Sequence, residues 1–213
     1  MKNILAKAQK YFTNSELDFE QRMLNLISST SALALHTDLK EVLNFTKEKD
    51  IPYTKIYEVI LQNYLFAGFP AGIEGMICLY EVFPNEEKPK FENPYKNYDK
   101  TLADGEALCQ KVYGKNFGKL IEHFEKLCPE LAEWMIFEGY GKTLSRKGLT
   151  VIERELCAVS TLAVLSWKRQ LISHLKGARN VGATEVQIKE TILQTSVFLP
   201  KEIIENYLKL ILG

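Results

Sequence analysis

His174 is the residue in this sequence best suited to moving a proton. Trp167, Leu171, His174 and Ala178 recur at three- and four-residue spacing and therefore share one face of a helix. The unperturbed pKa of an imidazole lies near neutrality, so such a histidine can give or take a proton as its pocket dictates. The alternative is a core histidine whose hydrogen bonds are simply satisfied. Arg154, on the preceding segment, is a candidate anchor for a substrate carboxylate, because a guanidinium binds one bidentately. It can equally be half of a structural ion pair. Arg146 is a second anchor candidate, and with Tyr140 and Ser145 it forms a loop leading into that segment.

The elements that must position these residues lie between Leu149 and Pro200 and read as three helices. Thr150 can cap the first, whose run from Leu156 to Leu165 is apolar on nearly every face and so predicts burial. The second runs from about Ser166 to Val181 and ends at Gly182, the residue type that best tolerates a left-handed cap. Thr184 followed by Gln187 is a capping box for the third. An earlier stretch, from about Asp18 to Phe66, matches this one without a gap at an offset of about 132 residues. Arg22 falls on Arg154, Ser28 on Ser160, Glu58 on Glu190 and Gln62 on Gln194, which predicts a tandem duplication. The first copy has Val42 where the second has His174, and Leu35 and Asp38 where the second has Trp167 and Gln170. His36 aligns with Lys168 and is expected to be exposed. The first copy keeps a Phe66-x-Gly68-x-Pro70 ending, and Tyr64, Phe66 and that turn are candidates to line a pocket shared with the second copy.

The remaining pattern is helical too. Residues 1 to 18 predict a short amphipathic lead-in helix, and Pro52 suits a first helical turn. Residues 84 to 100 are polar, proline-rich and aperiodic, a linker. Thr101 is a cap candidate for the next helix, and Pro129 opens another. Sustained apolar–polar alternation is absent, so the expected class is all-α. The expected organisation is an N-terminal repeat without the histidine over 1–83, the linker over 84–100, and a C-terminal repeat with His174 over 101–213.

The segment from Gly139 to Gln194 resembles the carboxymuconolactone decarboxylase family. The cues are Tyr140, Gly141, Ser145, Arg146, Gly148 and Leu149, then the Glu153-Arg154 pair. Gln170, Leu171, His174, Ala178 and Gly182 follow, and then the helix from Thr184 to Gln194. The resemblance implies a helical bundle of two fused repeats with the alkyl hydroperoxide reductase D-like fold, and assembly as a homo-oligomer, a dimer or trimer of tandem chains. It implies for the best-known members decarboxylation of a lactone acid. That reaction leaves a dienolate, so the catalyst must desolvate the departing carboxylate, stabilise an oxyanion and protonate carbon. No cofactor or metal is needed, and none has a motif here. His174 is then the proton donor. Glu155 occupies the position of the redox branch's glutamate, where it would orient the imidazole; otherwise it is a helix-end carboxylate favoured by the dipole. The redox branch also places a C-x-x-C pair before its histidine, where this chain has Trp167 and Gln170, which cannot form a disulfide.

Composition narrows the partners. The chain has 213 residues, 46% hydrophobic and 25% charged, with 27 basic and 27 acidic side chains. This is ordinary for a globular protein and leaves no basic excess to draw it to nucleic acid or anionic membrane. No leader peptide or spanning segment is expected. Cys78, Cys109, Cys128 and Cys157 are scattered, which suits a reducing cytoplasm better than a disulfide framework. Three functions stand in order: a cofactor-free decarboxylase acting on a small carboxylic acid, a non-catalytic oligomeric ligand-binding or scaffold protein, and, last, a thiol peroxidase.

Overall fold

A computed structural model describes residues 4–11 and 16–212. Among these residues the regular structure is entirely helical, and the fold is all-α. In chain order the α-helices are α1 (Ile4–Ala8), α2 (Phe19–Ala32), α3 (His36–Glu48), α4 (Tyr53–Gln62), α5 (Tyr64–Val82), α6 (Tyr98–Tyr113), α7 (Phe117–Leu127) and α8 (Pro129–Trp134). After a π-helix (Met135–Leu144) come α9 (Val151–Val164), α10 (Lys168–Val181), α11 (Glu185–Gln194) and α12 (Lys201–Leu212).

The three helices around His174 begin and end for the local reasons visible in sequence. Thr150 and Glu153 form a reciprocal capping box at the start of α9, and Thr184 and Gln187 do the same for α11. Gly182 ends α10 with φ 106°, in the left-handed region where a side chain would clash. Every residue of α9 from Arg154 to Val164 is buried, as its all-round apolar character requires.

Helices α2, α3 and α4 start and stop at the positions that align with α9, α10 and α11, except that α10 runs one residue further. Backbone detail follows the same spacing: Ala34 and Ser166 both have positive φ, at 53° and 60°, and so do Asp50 and Gly182. α2 and α9 pack together at the centre, and their polar contacts are reciprocal. Ser28 pairs with Thr161 and Ser29 with Ser160, each at 2.7 Å between hydroxyl oxygens. Arg22 reaches Glu190 at 2.8 Å, while Arg154 reaches Glu58 at 2.9 Å. Gln194 donates to the Arg22 carbonyl and Gln62 to the Arg154 carbonyl. Asn25 and Cys157, which occupy aligned positions, meet each other across the centre, with Sγ 3.7 Å from Oδ1. The four polar residues matched between the two stretches therefore all lie where one half of the molecule grips the other.

Several local expectations are corrected. The lead-in is shorter than one helix over 1–18: α1 gives way to a 3₁₀ turn at Gln9–Tyr11, and residues 1–3 and 12–15 of that expectation lie outside the described residues. Pro52 sits at the N-cap of α4 rather than inside its first turn. Thr101 is not a cap, because α6 already begins at Tyr98 and the Thr101 hydroxyl donates to the Pro94 carbonyl at 3.2 Å. His36 is half-buried rather than exposed, at the start of α3. Tyr140 stands on the π-helix, not on a loop. α5 bends at Gly68 (φ 87°), so that Pro70 falls in the first turn after the bend, where its missing N–H breaks no hydrogen bond. By length and composition α5 is also the one described helix apolar enough to cross a membrane. Ala71, Gly72, Gly75, Cys78 and Leu79 nonetheless bury one of its faces, and the helix packs on α2, α3 and α4.

Candidate functional site

His174 lies on α10 with 6% of its surface exposed, and Glu155 on α9 with 2%. Imidazole Nδ1 and carboxylate Oε2 are 2.9 Å apart. A buried carboxylate at this distance holds the ring in one orientation and, in the neutral tautomer, fixes the proton on Nδ1, leaving Nε2 for a ligand. The Phe66 ring meets the imidazole edge-on at 5.3 Å between centroids. The carboxylate fits because residue 177 is glycine. A Cβ there would sit 2.6 Å from Glu155 Oε2 and 2.7 Å from Val112 Cγ1.

In front of the imidazole is a cavity of about 500 Å³. Its walls carry six aromatic side chains: Phe66, Tyr113, Phe124, Trp134, Tyr140 and Trp167. Leu65, Leu131, Leu144 and Leu162 fill the spaces between them, and Gln170 and Glu138 are further polar members. None of the described lining residues is lysine or arginine. Tyr113 comes from α6 and Tyr140 from the π-helix, their rings edge-to-face at 6.2 Å. Burial pushes the Tyr113 hydroxyl up to about 12, and burial with Tyr113 and Glu155 nearby lifts Tyr140 well above its ordinary value. Both phenols are therefore neutral hydrogen-bond donors at any physiological pH.

The π-helix presents Tyr140 and Gly139 to the cavity, and its seat is cut to the backbone. A Cβ on Gly105 would lie 2.4 Å from the Ile136 carbonyl, and one on Gly141 would lie 2.3 Å from the Thr101 carbonyl. Two glycines thus let α6 and the π-helix approach to backbone contact. Two tyrosines brace the outside: Tyr98, the first residue of α6, stacks on Phe137 at 4.6 Å, and the hydroxyl of Tyr95, in the 3₁₀ turn before it, donates to Glu138 at 2.8 Å. Tyr64 binds the same helix through Thr143, 2.7 Å away.

The five residues singled out from sequence divide into two groups. His174, Glu155 and Tyr140 come together at the cavity. Arg154 and Arg146 do not line it, because both guanidiniums are held by one buried carboxylate. Arg146 binds Glu58 through Nε and Nη2, the shortest contact being 2.7 Å, and Arg154 adds Gln62 at 3.1 Å and the Arg146 carbonyl at 2.8 Å. At this cavity neither arginine is an anchor; both make ion pairs with Glu58 of α4. Phe66, from the N-terminal half, does reach the site, and Tyr64 stands beside the π-helix.

Residues 129–203 match the carboxymuconolactone decarboxylase family, a stretch that carries the π-helix, Glu155 and His174. The chain belongs to that family. An uncharacterized 15.0 kDa protein from the nqo9-nqo10 intergenic region of Paracoccus denitrificans is 31% identical over 110 residues, 48% of this chain and 78% of that protein. Peroxisomal protein 2 of Schizosaccharomyces pombe is 27% identical over 137 residues, and its namesake in Saccharomyces cerevisiae is 25% identical over 164. These alignments cover 64% and 65% of this chain, and 64% and 56% of the two yeast proteins, so the chain spans less than two thirds of either.

The family's redox branch needs two thiols that this site lacks. The four cysteines are free, Cys109 and Cys157 are buried, and burial pushes both thiols up to about 12. Such thiols stay protonated and are poor nucleophiles. Sequence reasoning missed Tyr113 and Gly177. Nothing in the α6 spacing marks Tyr113, whereas a glycine inside a helix, one turn after the histidine, is a legible sign of close packing.

Proposed function

We propose that this chain is a cofactor-free acid–base catalyst of the lyase type, with His174 as the group that moves a proton and Glu155 as the residue that holds it. The buried 2.9 Å contact between the two, at the back of a cavity, carries the reading. In a decarboxylation the apolar walls would strip water from the departing carboxylate. Tyr113 would donate to the enolate oxygen that develops, and imidazolium Nε2 would protonate carbon.

The test is carbon dioxide release from unsaturated lactone acids that carry one carboxylate, with solvent deuterium incorporated into the product and the dicarboxylate 4-carboxymuconolactone assayed beside them. We expect His174→Gln to lower kcat by about a hundredfold or more, the usual contribution of a positioned general acid, and Glu155→Gln by less. Turnover that is unchanged in folded His174→Gln protein would defeat the assignment. No turnover across the panel would favour the second reading, a ligand-binding protein that uses the same aromatic cavity without chemistry.

Two broader readings accompany this one. The names of the two yeast relatives put a peroxisomal location beside the cytoplasmic one that the scattered cysteines suggest. Imaging the tagged chain against a peroxisomal marker separates them. The reciprocal contacts of α2 and α9 support an origin by duplication of a single helical unit. A separately expressed 101–213 segment that fails to associate with itself or with 1–83 would count against it.

A further inference from the structure

We propose that the His174 cavity selects a flat, largely apolar ring molecule bearing at most one negative charge, and that it rejects dicarboxylates. This deepens the acid–base reading of the site and rests on it for the fate of the bound molecule.

The walls and the charges lead to the same class of ligand. Six aromatic side chains offer faces and edges to a planar body, and a planar body fills such a space better than a branched one. The ionisable acids at the cavity are Glu138, which lines it, and Glu155, behind the imidazole. No described lining residue supplies a fixed cation. The Lys142 ammonium is held by Glu138 and lies over the Tyr64 and Tyr95 rings instead. The two arginines on the neighbouring segment are held by Glu58. A first carboxylate can sit against protonated His174 and a phenol. A second would lose its water and find no free cation, since Lys142 is already paired with Glu138, and burying such an unpaired charge is unfavourable. At the mouth Leu131, Trp134 and Trp167 are 46%, 56% and 58% exposed. An apolar body protruding from the cavity would cover them.

The chain reports on its own cavity, because its two tryptophans are both at the mouth. Tryptophan emission is followed while the wild-type chain is titrated with methyl benzoate, benzoate and phthalate, which share one ring and differ in charge. We expect saturable binding of the ester and weaker binding of benzoate. Phthalate should bind about tenfold or more weakly than the ester, as one uncompensated charge near a carboxylate implies. Two variants locate the effect. A Cβ on Gly139 meets nothing within 4 Å, so Gly139→Leu extends into the cavity and should abolish the ester's saturable signal while helicity is retained. Glu138→Gln should narrow the gap between ester and phthalate.

Phthalate binding as tightly as the ester would overturn the proposal. So would the absence of saturable ester binding, or ester binding unchanged in Gly139→Leu. The two readings fail separately. Probes that sort by charge, with no ring compound turned over, would remove the catalytic reading and leave this one. Turnover of a diacid that depends on His174, with tight phthalate binding, would do the reverse.

Discussion

A carboxylate can touch a buried imidazole only where the packing leaves it room, and at this site the room is the missing side chain of residue 177. Gly177→Ala places a methyl group 2.6 Å from Glu155 Oε2 and 2.7 Å from Val112. The carboxylate or the helix must then shift. We expect catalytic efficiency to fall about tenfold or more, as misplacement of a positioned group implies, while unfolding free energy falls by about 1–3 kcal/mol, the usual effect of overpacking. Kinetics beside denaturant unfolding check this. A variant with lost stability but unchanged kinetics would show that the Glu155 contact is not needed. At this scale His174 was readable because one polar residue interrupts an apolar helix face. Arg154 was readable only as a choice between two roles. The deciding partner, Glu58, is 96 positions away in sequence and meets Arg154 only in the folded chain.

At the scale of elements, the caps wrote themselves into the sequence and the π-helix did not. Thr150, Gly182 and Thr184 act through atoms three or four residues away, so local chemistry is enough. The π-helix depends on Gly105, Gly141 and the bracing Tyr95 and Tyr98, all tertiary contacts. The ion pair between α4 and α9 also carries the clearest stability prediction. Glu58 is 1% exposed and is the counter-charge of two guanidiniums. Glu58→Gln leaves Arg154 buried without its partner, and we expect a loss of about 3–5 kcal/mol. Glu190→Gln, at the aligned position of α11, should cost less, because this carboxylate is 19% exposed and already partly solvated, while Glu58 is not. Equal losses in urea unfolding would mean that burial does not set the difference.

For the molecule as a whole, the reciprocal contacts of α2 and α9 pair two halves that are alike in framework and unlike in content. Where the C-terminal half has Glu155, His174 and Gly177, the N-terminal half has Met23, Val42 and Phe45. Met23 and Val42 are fully buried in the N-terminal core, and Phe45 packs against it. Apolar side chains thus stand where the C-terminal half has its acid–base pair, and α1 adds Ile4 and Ala8 to the same core. The outer face of α5 is a separate matter of assembly. Phe69, Ile73, Ile77 and Tyr80 form a stripe there, between 46% and 65% exposed. The homo-oligomer that the family resemblance implies would bury such a stripe, because a contiguous exposed apolar face marks a contact surface. Sedimentation velocity should show an oligomer that Ile77→Glu shifts toward monomer with unchanged helicity. A monomeric wild type, or an oligomer indifferent to the substitution, would reject the stripe as the interface.

What the sequence determined by itself was whatever depends on near neighbours: helical periodicity, capping, the glycine stop, and a histidine on an apolar face. It also carried the spacing at which Arg22, Ser28, Glu58 and Gln62 repeat, because like helices ask for like residues. Tertiary structure decided which distant residues met. It turned Arg146 and Arg154 to Glu58 and away from the cavity, brought Phe66 from one half onto the imidazole of the other, and set Tyr113 beside Tyr140. The physical reason is that periodicity reports which face of a helix is buried, whereas a site is made where faces from several helices converge. Only packing selects those faces.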